Sequence, residues 1–142
     1  MSGHVAILGG GAWGSALACV ARRTGHQVHV WVLIAVPAQA LRSVAQAIAP
    51  HLSSGIPIAI CAKGVERNTL KRMSQILAEE TPTARACIFS GPTFAGEVAK
   101  GLPTAITLAA QDLKAAEIIQ AAVGSGSLRA YLSDDPIGAE IG

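Results

Sequence analysis

A glycine-rich turn near the start limits what this chain can fold into more than any other feature. Val5-Ala6-Ile7-Leu8 is a short apolar run, and Gly9-Gly10-Gly11-Ala12-Trp13-Gly14 follows directly. Ser15-Ala16-Leu17-Ala18-Cys19-Val20-Ala21 then reads as a helix. Strand, GxGxxG turn and helix in that order form a dinucleotide-binding fingerprint in its required context. Gly9 permits the tight turn, Gly11 has no Cβ to obstruct a pyrophosphate, and Gly14 lets the helix pack closely on the strand. The helix N-terminus offers unpaired N–H groups and a partial positive charge to the phosphates. Without a ligand, the same residues make a plain glycine-rich turn.

The rest of the chain suits an α/β fold. Its 142 residues are enough for one domain with a core. Hydrophobic residues make up 51% but aromatics only 4%, so Ala, Val, Leu and Ile must fill the interior. That composition fits a Rossmann-like, mostly parallel, doubly wound sheet with helices on both faces. A net charge of +2 is too small to argue for nucleic acid. Cys19, Cys61 and Cys87 lie far apart in apolar runs and read as buried free thiols of a reducing, cytoplasmic compartment. His4, His26, His29 and His51 stand alone at element edges, so no metal site is expected. No apolar run reaches the roughly 20 residues of a membrane helix, and the early glycine turn leaves no room for a signal-like stretch.

Periodicity predicts helices over Trp13 to Thr24, Ala38 to Ala49, Thr69 to Glu80 and Asp112 to Val123. In the third of these, Leu70, Met73, Ile76 and Leu77 share the apolar face. Glu66-Arg67 and Lys71-Arg72 read as a solvated helix face. Strands are predicted over Gln27 to Trp31, Val32 to Val36, Ile56 to Cys61, Ala86 to Phe89, Thr104 to Ala109 and Leu128 to Leu132. Asp135 and Pro136 are placed as N-cap and first residue of a last helix.

One junction breaks the pattern. A dinucleotide fold needs a polar residue at the end of its second strand, about 20 positions past the glycines, to read the ribose. Here that stretch is Trp31-Val32-Leu33-Ile34-Ala35, which carries no charge. Val28 to Val36 is long for one strand, and two parallel neighbours need a crossover of a dozen or more residues between them. Trp31/Val32 therefore reads as a seam, where a segment is absent from the gene or omitted from the chain. A single long buried strand is the other reading.

Four stretches, in order, carry a resemblance to bacterial NAD(P)-dependent glycerol-3-phosphate dehydrogenases. Ile7 to Leu17 is similar to the family's GxGxWGTAL turn, and Val32 to Arg42 to its strand-VPSQ-helix segment. Ala62-Lys63-Gly64 is similar to its T-K-G segment. Ser90-Gly91-Pro92-Thr93-Phe94-Ala95, continued by Glu97 to Ala105, is similar to the long SGPSFAxEVAxGxPTA segment. Tyr131 to Gly142 resembles the family's exit from this domain.

The resemblance implies hydride transfer between sn-glycerol 3-phosphate and dihydroxyacetone phosphate with NAD or NADP. It implies a small-molecule substrate, no nucleic acid or membrane partner, and leaves open a homodimer of the full-length protein. It implies that Gly9, Gly11, Ala12, Trp13, Gly14, Pro37, Lys63 and Ala95 bind cofactor, and that Lys63, Gly91 and Thr93 bind substrate. Lys63 is assigned to positioning and polarising the substrate oxygen. The family's proton-accepting lysine lies in a G-A-L-K-N segment beyond residue 142, and its arginine after the second-strand tryptophan is replaced by Val32. The resemblance therefore implies a 142-residue dinucleotide-binding domain whose residues 133 to 142 begin an exit helix. It also implies no helical substrate domain in this chain, and no activity of the chain alone. Related reductases of the 6-phosphogluconate or ketopantoate type, or a non-catalytic nucleotide-binding remnant, are the alternatives. Both reductase types lack the Ser90 to Ala105 match.

Overall fold

The computed structural model describes residues 5–8, 31–124 and 126–142. The glycine turn, the predicted helix at 13–24, strand positions 27–30, Cys19 and the first three histidines lie outside the described residues.

Among the described residues the sheet has six strands in sequential order: β1 (Val5–Leu8), β2 (Trp31–Ile34), β3 (Pro57–Ile60), β4 (Arg85–Ser90), β5 (Thr104–Ala109) and β6 (Leu128–Ser133). β1 to β4 are parallel, β5 is antiparallel to β4, and β6 is parallel to β5. Among the described residues five α-helices connect or follow them: α1 (Leu41–Ile48), α2 (Met73–Glu80), α3 (Ala95–Lys100), α4 (Leu113–Val123) and α5 (Pro136–Ile141). The class is the expected Rossmann-like α/β sheet.

Strand alternation divides the core into two layers. Leu33, Ala59, Cys87, Phe89, Ile106 and Leu108 face one side, under Val98 of α3 and Ala115, Ala116, Ile119, Ala122 and Val123 of α4. Val32, Ile34, Ile58, Ile60 and Ile88 face the other, under Leu41 and Ala45 of α1 and Met73, Ile76 and Leu77 of α2. Both faces of β2 and β3 are buried, which is why these strands read as unbroken apolar runs. Alanines on α4 let that helix approach the sheet closely.

Most predicted elements are found, with shifted ends, but the expected break between two strands at Trp31/Val32 is not: both residues stand consecutively in the one strand β2, paired with Val5 and Ala6 of β1. α4 starts from Asp112, whose side chain accepts from Lys114 N at 3.1 Å. α5 starts from Asp135, which accepts from Gly138 N at 2.8 Å, with Pro136 in its first turn. The helix α3 was not foreseen. The residues before α2 correct the prediction of a helix from Thr69. They form a closed loop in which Val65 bridges Arg72 antiparallel and Leu70 adopts φ 56°. Leu70 is thus not on the buried face of α2 but 74% exposed. Helix begins only at Met73, where the Gln75 side chain accepts from Arg72 N at 3.0 Å.

The charged residues of this loop are also not a solvated helix face. Arg42 on α1 meets Glu66 through two N–H···O bonds of 2.8 and 2.9 Å, and further pairs with Glu79 and Glu80 on α2. Glu66 also accepts from the Thr69 hydroxyl. Gln39 donates to Val65 O at 2.9 Å and accepts from Arg67 N at 3.0 Å. These bonds close the loop onto α1 and the 3-10 turn (Ala38–Ala40) that leads into it, and compete successfully with helix propagation. The Arg42 hydrogen bonds, with that from Thr69, hold the Glu66 carboxyl down at about 2. A depressed carboxylate pKa stabilises the fold above its unfolded value of about 4.3, and that share is lost as pH falls through the folded value. Glu66→Gln is therefore expected to be less stable than the parent at pH 7, with the gap closing between about pH 4.3 and pH 2 in acid-unfolding titrations.

Candidate functional site

Parallel pairing delivers the chain to one edge of the sheet after β2, β3 and β4. Pro37 follows β2, Lys63 follows β3, and Gly91 to Thr93 follow β4. β5 runs the other way, so its first residues start at this same edge. The edge opens into a cavity of about 530 Å³ lined by Val36, Pro37, Ala38, Cys61, Ala62, Lys63, Phe89, Gly91, Thr93 and Phe94. A second cavity of about 350 Å³ adjoins it, lined by Lys63, Ser90, Gly91, Pro92, Thr107, Gly138, Ala139 and Gly142. Lys63 and Gly91 line both, so they stand on the wall between the two spaces.

Lys63 is the only charged residue among the described lining of either cavity. Its ammonium lies 3.3 Å from the Ser90 hydroxyl. An exposed cation over an otherwise neutral, largely apolar lining attracts anions and donates to a carbonyl or hydroxyl oxygen. Cys61 lies beneath, half-buried, and desolvation pushes its thiol up to about 12, so it is neutral and no nucleophile. Cys87 is buried in the sheet, with its thiol likewise pushed up to about 12. Among the described residues no three His, Cys, Asp or Glu side chains cluster at metal-binding distance.

Gly91 has a packing reason for being glycine. A Cβ built there would stand 3.0 Å from Ala105 O and 3.2 Å from Ile106 Cα, both backbone atoms of β5. The turn also places Thr93 N 2.9 Å from Gly91 O.

Four of the residues expected at the site therefore come together: Pro37, Lys63, Gly91 and Thr93. Ala95 does not line either cavity; it opens α3 and packs partly buried against the core layer under that helix. Gly9, Gly11, Ala12, Trp13 and Gly14 lie outside the described residues. Sequence reasoning missed Phe94, which is 73% exposed at the cavity edge. A large exposed aromatic directly after a Gly-Pro-Thr turn was the available signal.

A mostly parallel sheet wrapped on both faces, with a crevice at the carboxyl ends of its strands, defines a dinucleotide-fold domain of the Rossmann class. The profile described as "NAD-dependent glycerol-3-phosphate dehydrogenase N-terminus" matches residues 4–33 and 30–116, and the chain belongs to that family. A glycerol-3-phosphate dehydrogenase [NAD(P)+] of Paramagnetospirillum magneticum is 40% identical over 181 residues, covering 97% of this chain and 66% of the relative. One of Parvibaculum lavamentivorans is 37% identical, covering 97% of this chain and 54% of the relative. The chain thus spans between half and two thirds of the length of these relatives. The crystal structure of glycerol-3-phosphate dehydrogenase from Coxiella burnetii superposes with a TM-score of 0.88 at 26% identity, over 98% of this chain and 56% of that one. The Saccharomyces cerevisiae enzyme shares the fold, with a TM-score of 0.82 at 16% identity, over 99% of this chain and 59% of its own.

Gly91→Ala is expected to cost about 1–3 kcal/mol in chemical unfolding, because β5 backbone rather than a flexible side chain must give way. Gly64→Ala meets no atom within 4 Å but sits at φ +102°, so it serves as a control for backbone strain without overpacking.

Proposed function

We propose that this chain is the cofactor-binding part of a glycerol-3-phosphate dehydrogenase, acting on sn-glycerol 3-phosphate and dihydroxyacetone phosphate with NAD or NADP. The observation that carries the reading is the convergence of Pro37, Lys63, Gly91 and Thr93 on one crevice at the sheet edge. The residues fit the group. The larger cavity lies where β2, β3 and β4 end, and its lining is mostly apolar. The bound nicotinamide would supply the hydride acceptor or donor.

The chain's own residues bind, orient and polarise. Gly9, Gly11, Ala12, Trp13 and Gly14 would receive the pyrophosphate end, and Pro37 and Ala95 would flank the cofactor. Gly91 backbone and the Thr93 hydroxyl would hold polar substrate atoms. Lys63, between the two cavities, donates to the reacting oxygen and holds its partial charge. The Ser90 hydroxyl stands 3.3 Å from that ammonium on the same wall.

NADH or NADPH is expected to raise the thermal midpoint, and dihydroxyacetone phosphate to raise it further. Lys63→Ala should remove the second increment, and wherever turnover is measurable should lower kcat/KM about 10²-fold. No shift with either dinucleotide overturns the reading.

We also infer that a segment of βαβ size is missing between Trp31 and Val32. Several observations support it. The relatives align over 181 positions against a chain of 142, so at least 39 positions have no residue of this chain opposite them. The family profile matches in two overlapping pieces that meet at residues 30–33. Among the described residues the buried Trp31 indole N–H has no hydrogen-bond partner, at a cost of about 1–3 kcal/mol. The residue that distinguishes NAD from NADP belongs to the missing segment, so NADH and NADPH should differ in Kd by less than about tenfold (1.4 kcal/mol). Grafting the corresponding segment of the Paramagnetospirillum relative between 31 and 32 should raise dinucleotide affinity at least tenfold. An unchanged affinity in a folded graft would refute the inference.

A further inference from the structure

Lys63 is exposed, and Gly64 after it takes φ +102°, a conformation that glycine leaves readily. Residues 61–64 therefore do not by themselves fix where the ammonium stands. The restraint comes from the next three residues. Val65 O is held by Gln39 Nε2 at 2.9 Å, and Arg67 N by Gln39 Oε1 at 3.0 Å. Between them, the Glu66 carboxylate receives Arg42 Nε and the second guanidinium nitrogen at 2.8 and 2.9 Å. Gln39 and Arg42 are three residues apart, so one face of one helical segment grips three successive loop residues. The same segment begins with Pro37 and Ala38, which line the larger cavity.

We propose that Gln39, Arg42 and Glu66 are positioning residues for Lys63. They join the wall that follows β2 to the wall that follows β3, so that the ammonium faces the crevice at a set distance from Ser90. The proposal rests on the reading of Lys63 as the ligand-facing cation. Two features separate this grip from ordinary surface pairing. The Gln39 amide reproduces the two hydrogen bonds of a strand neighbour, donating and accepting across the loop. The Arg42–Glu66 contact is bidentate, a geometry that lysine cannot reproduce. The loop also pays for its shape with a leucine at φ 56°, and such a conformation persists where surroundings over-determine it.

The test reads Lys63 directly. The chain has four lysines, Lys63, Lys71, Lys100 and Lys114. Reductive ¹³C-methylation gives each a separate NMR signal, and Lys63→Arg assigns the one of interest. In Gln39→Ala and Arg42→Lys, the Lys63 signal should move to the position of the solvent-exposed Lys100 and Lys114 signals. Amide exchange at residues 65–72 should accelerate at least tenfold while Ile58 and Ile76 keep their protection. The swap Arg42→Glu with Glu66→Arg should return the signal towards the parent position. Glu66→Gln, which keeps size and one acceptor, gives a milder version should Arg42→Lys fold poorly. An unmoved Lys63 signal in both variants overturns the proposal. So does an equal loss of protection in β3 and α2, which would make the contacts general stabilisers. Dihydroxyacetone phosphate added to the parent should shift the Lys63 signal, and its Kd should weaken about tenfold in Gln39→Ala. A parent signal that ignores this ligand would count against the proposed function, while the comparison of parent with variants still decides the proposal.

Discussion

Because β1 to β4 pair in parallel, the backbone leaves each of these strands at the same edge, and the loop after each one is carried to the same place. A parallel ladder cannot close with a two-residue turn, so every return requires a crossover packed on a face. α1 and α2 make two of those returns on one side, and the apolar residues that bury them are the residues of β2, β3 and β4 that alternate towards that side. The crevice is thus a by-product of strand direction. Pro37, Lys63 and Gly91 are separated widely in sequence but share an edge because their strands share a heading.

Strand β5 reverses that heading, and this reversal shapes the second cavity. The chain enters β5 from the crevice edge after α3, passes close to Gly91, and leaves at the far edge. β6 repeats that direction, so α5 must bring the chain back to reach the crevice with Gly138, Ala139 and Gly142. The lysine on the dividing wall therefore meets two differently built spaces. One is framed by parallel strand ends, the other by a returning helix.

Much of this was legible in the residues. Buried parallel strands announce themselves as unbroken apolar runs, and Asp112, Asp135 and Pro136 mark helix starts by local chemistry alone. Strand ends and the Gly-Pro turn were readable as local signals, but which carboxyl-edge residues belong to a site came only from the resemblance. What escaped were features decided by distant partners. Thr69 to Arg72 has helical periodicity with Leu70 in register, yet Gln39 and Arg42, about 30 residues earlier, hold that stretch as a closed loop. Glu66 looked like a solvated charge because nothing nearby in sequence betrays its guanidinium partner. The short helix α3 was hidden in a stretch with two glycines, Gly96 and Gly101, and takes its place from Val98 packing on the sheet. Ala95 is placed at the cofactor by resemblance alone; no local signal marks it, and its partly buried side chain also packs against the core layer.

A last consequence concerns Glu140 on α5. Its side chain is only 2% exposed, and its two oxygens accept from Ser74 N at 2.8 Å and the Ser74 hydroxyl at 2.6 Å. Ser74 sits in the first turn of α2, so the carboxylate also faces the positive end of that helix. A buried acid satisfied in this way cannot swing out without leaving both Ser74 donors and its own charge to be resolvated. α5 is thereby a strut and not a tether: rotation about Asp135 is resisted at the helix's far end, and the tip that borders Lys63 inherits its bearing from α2.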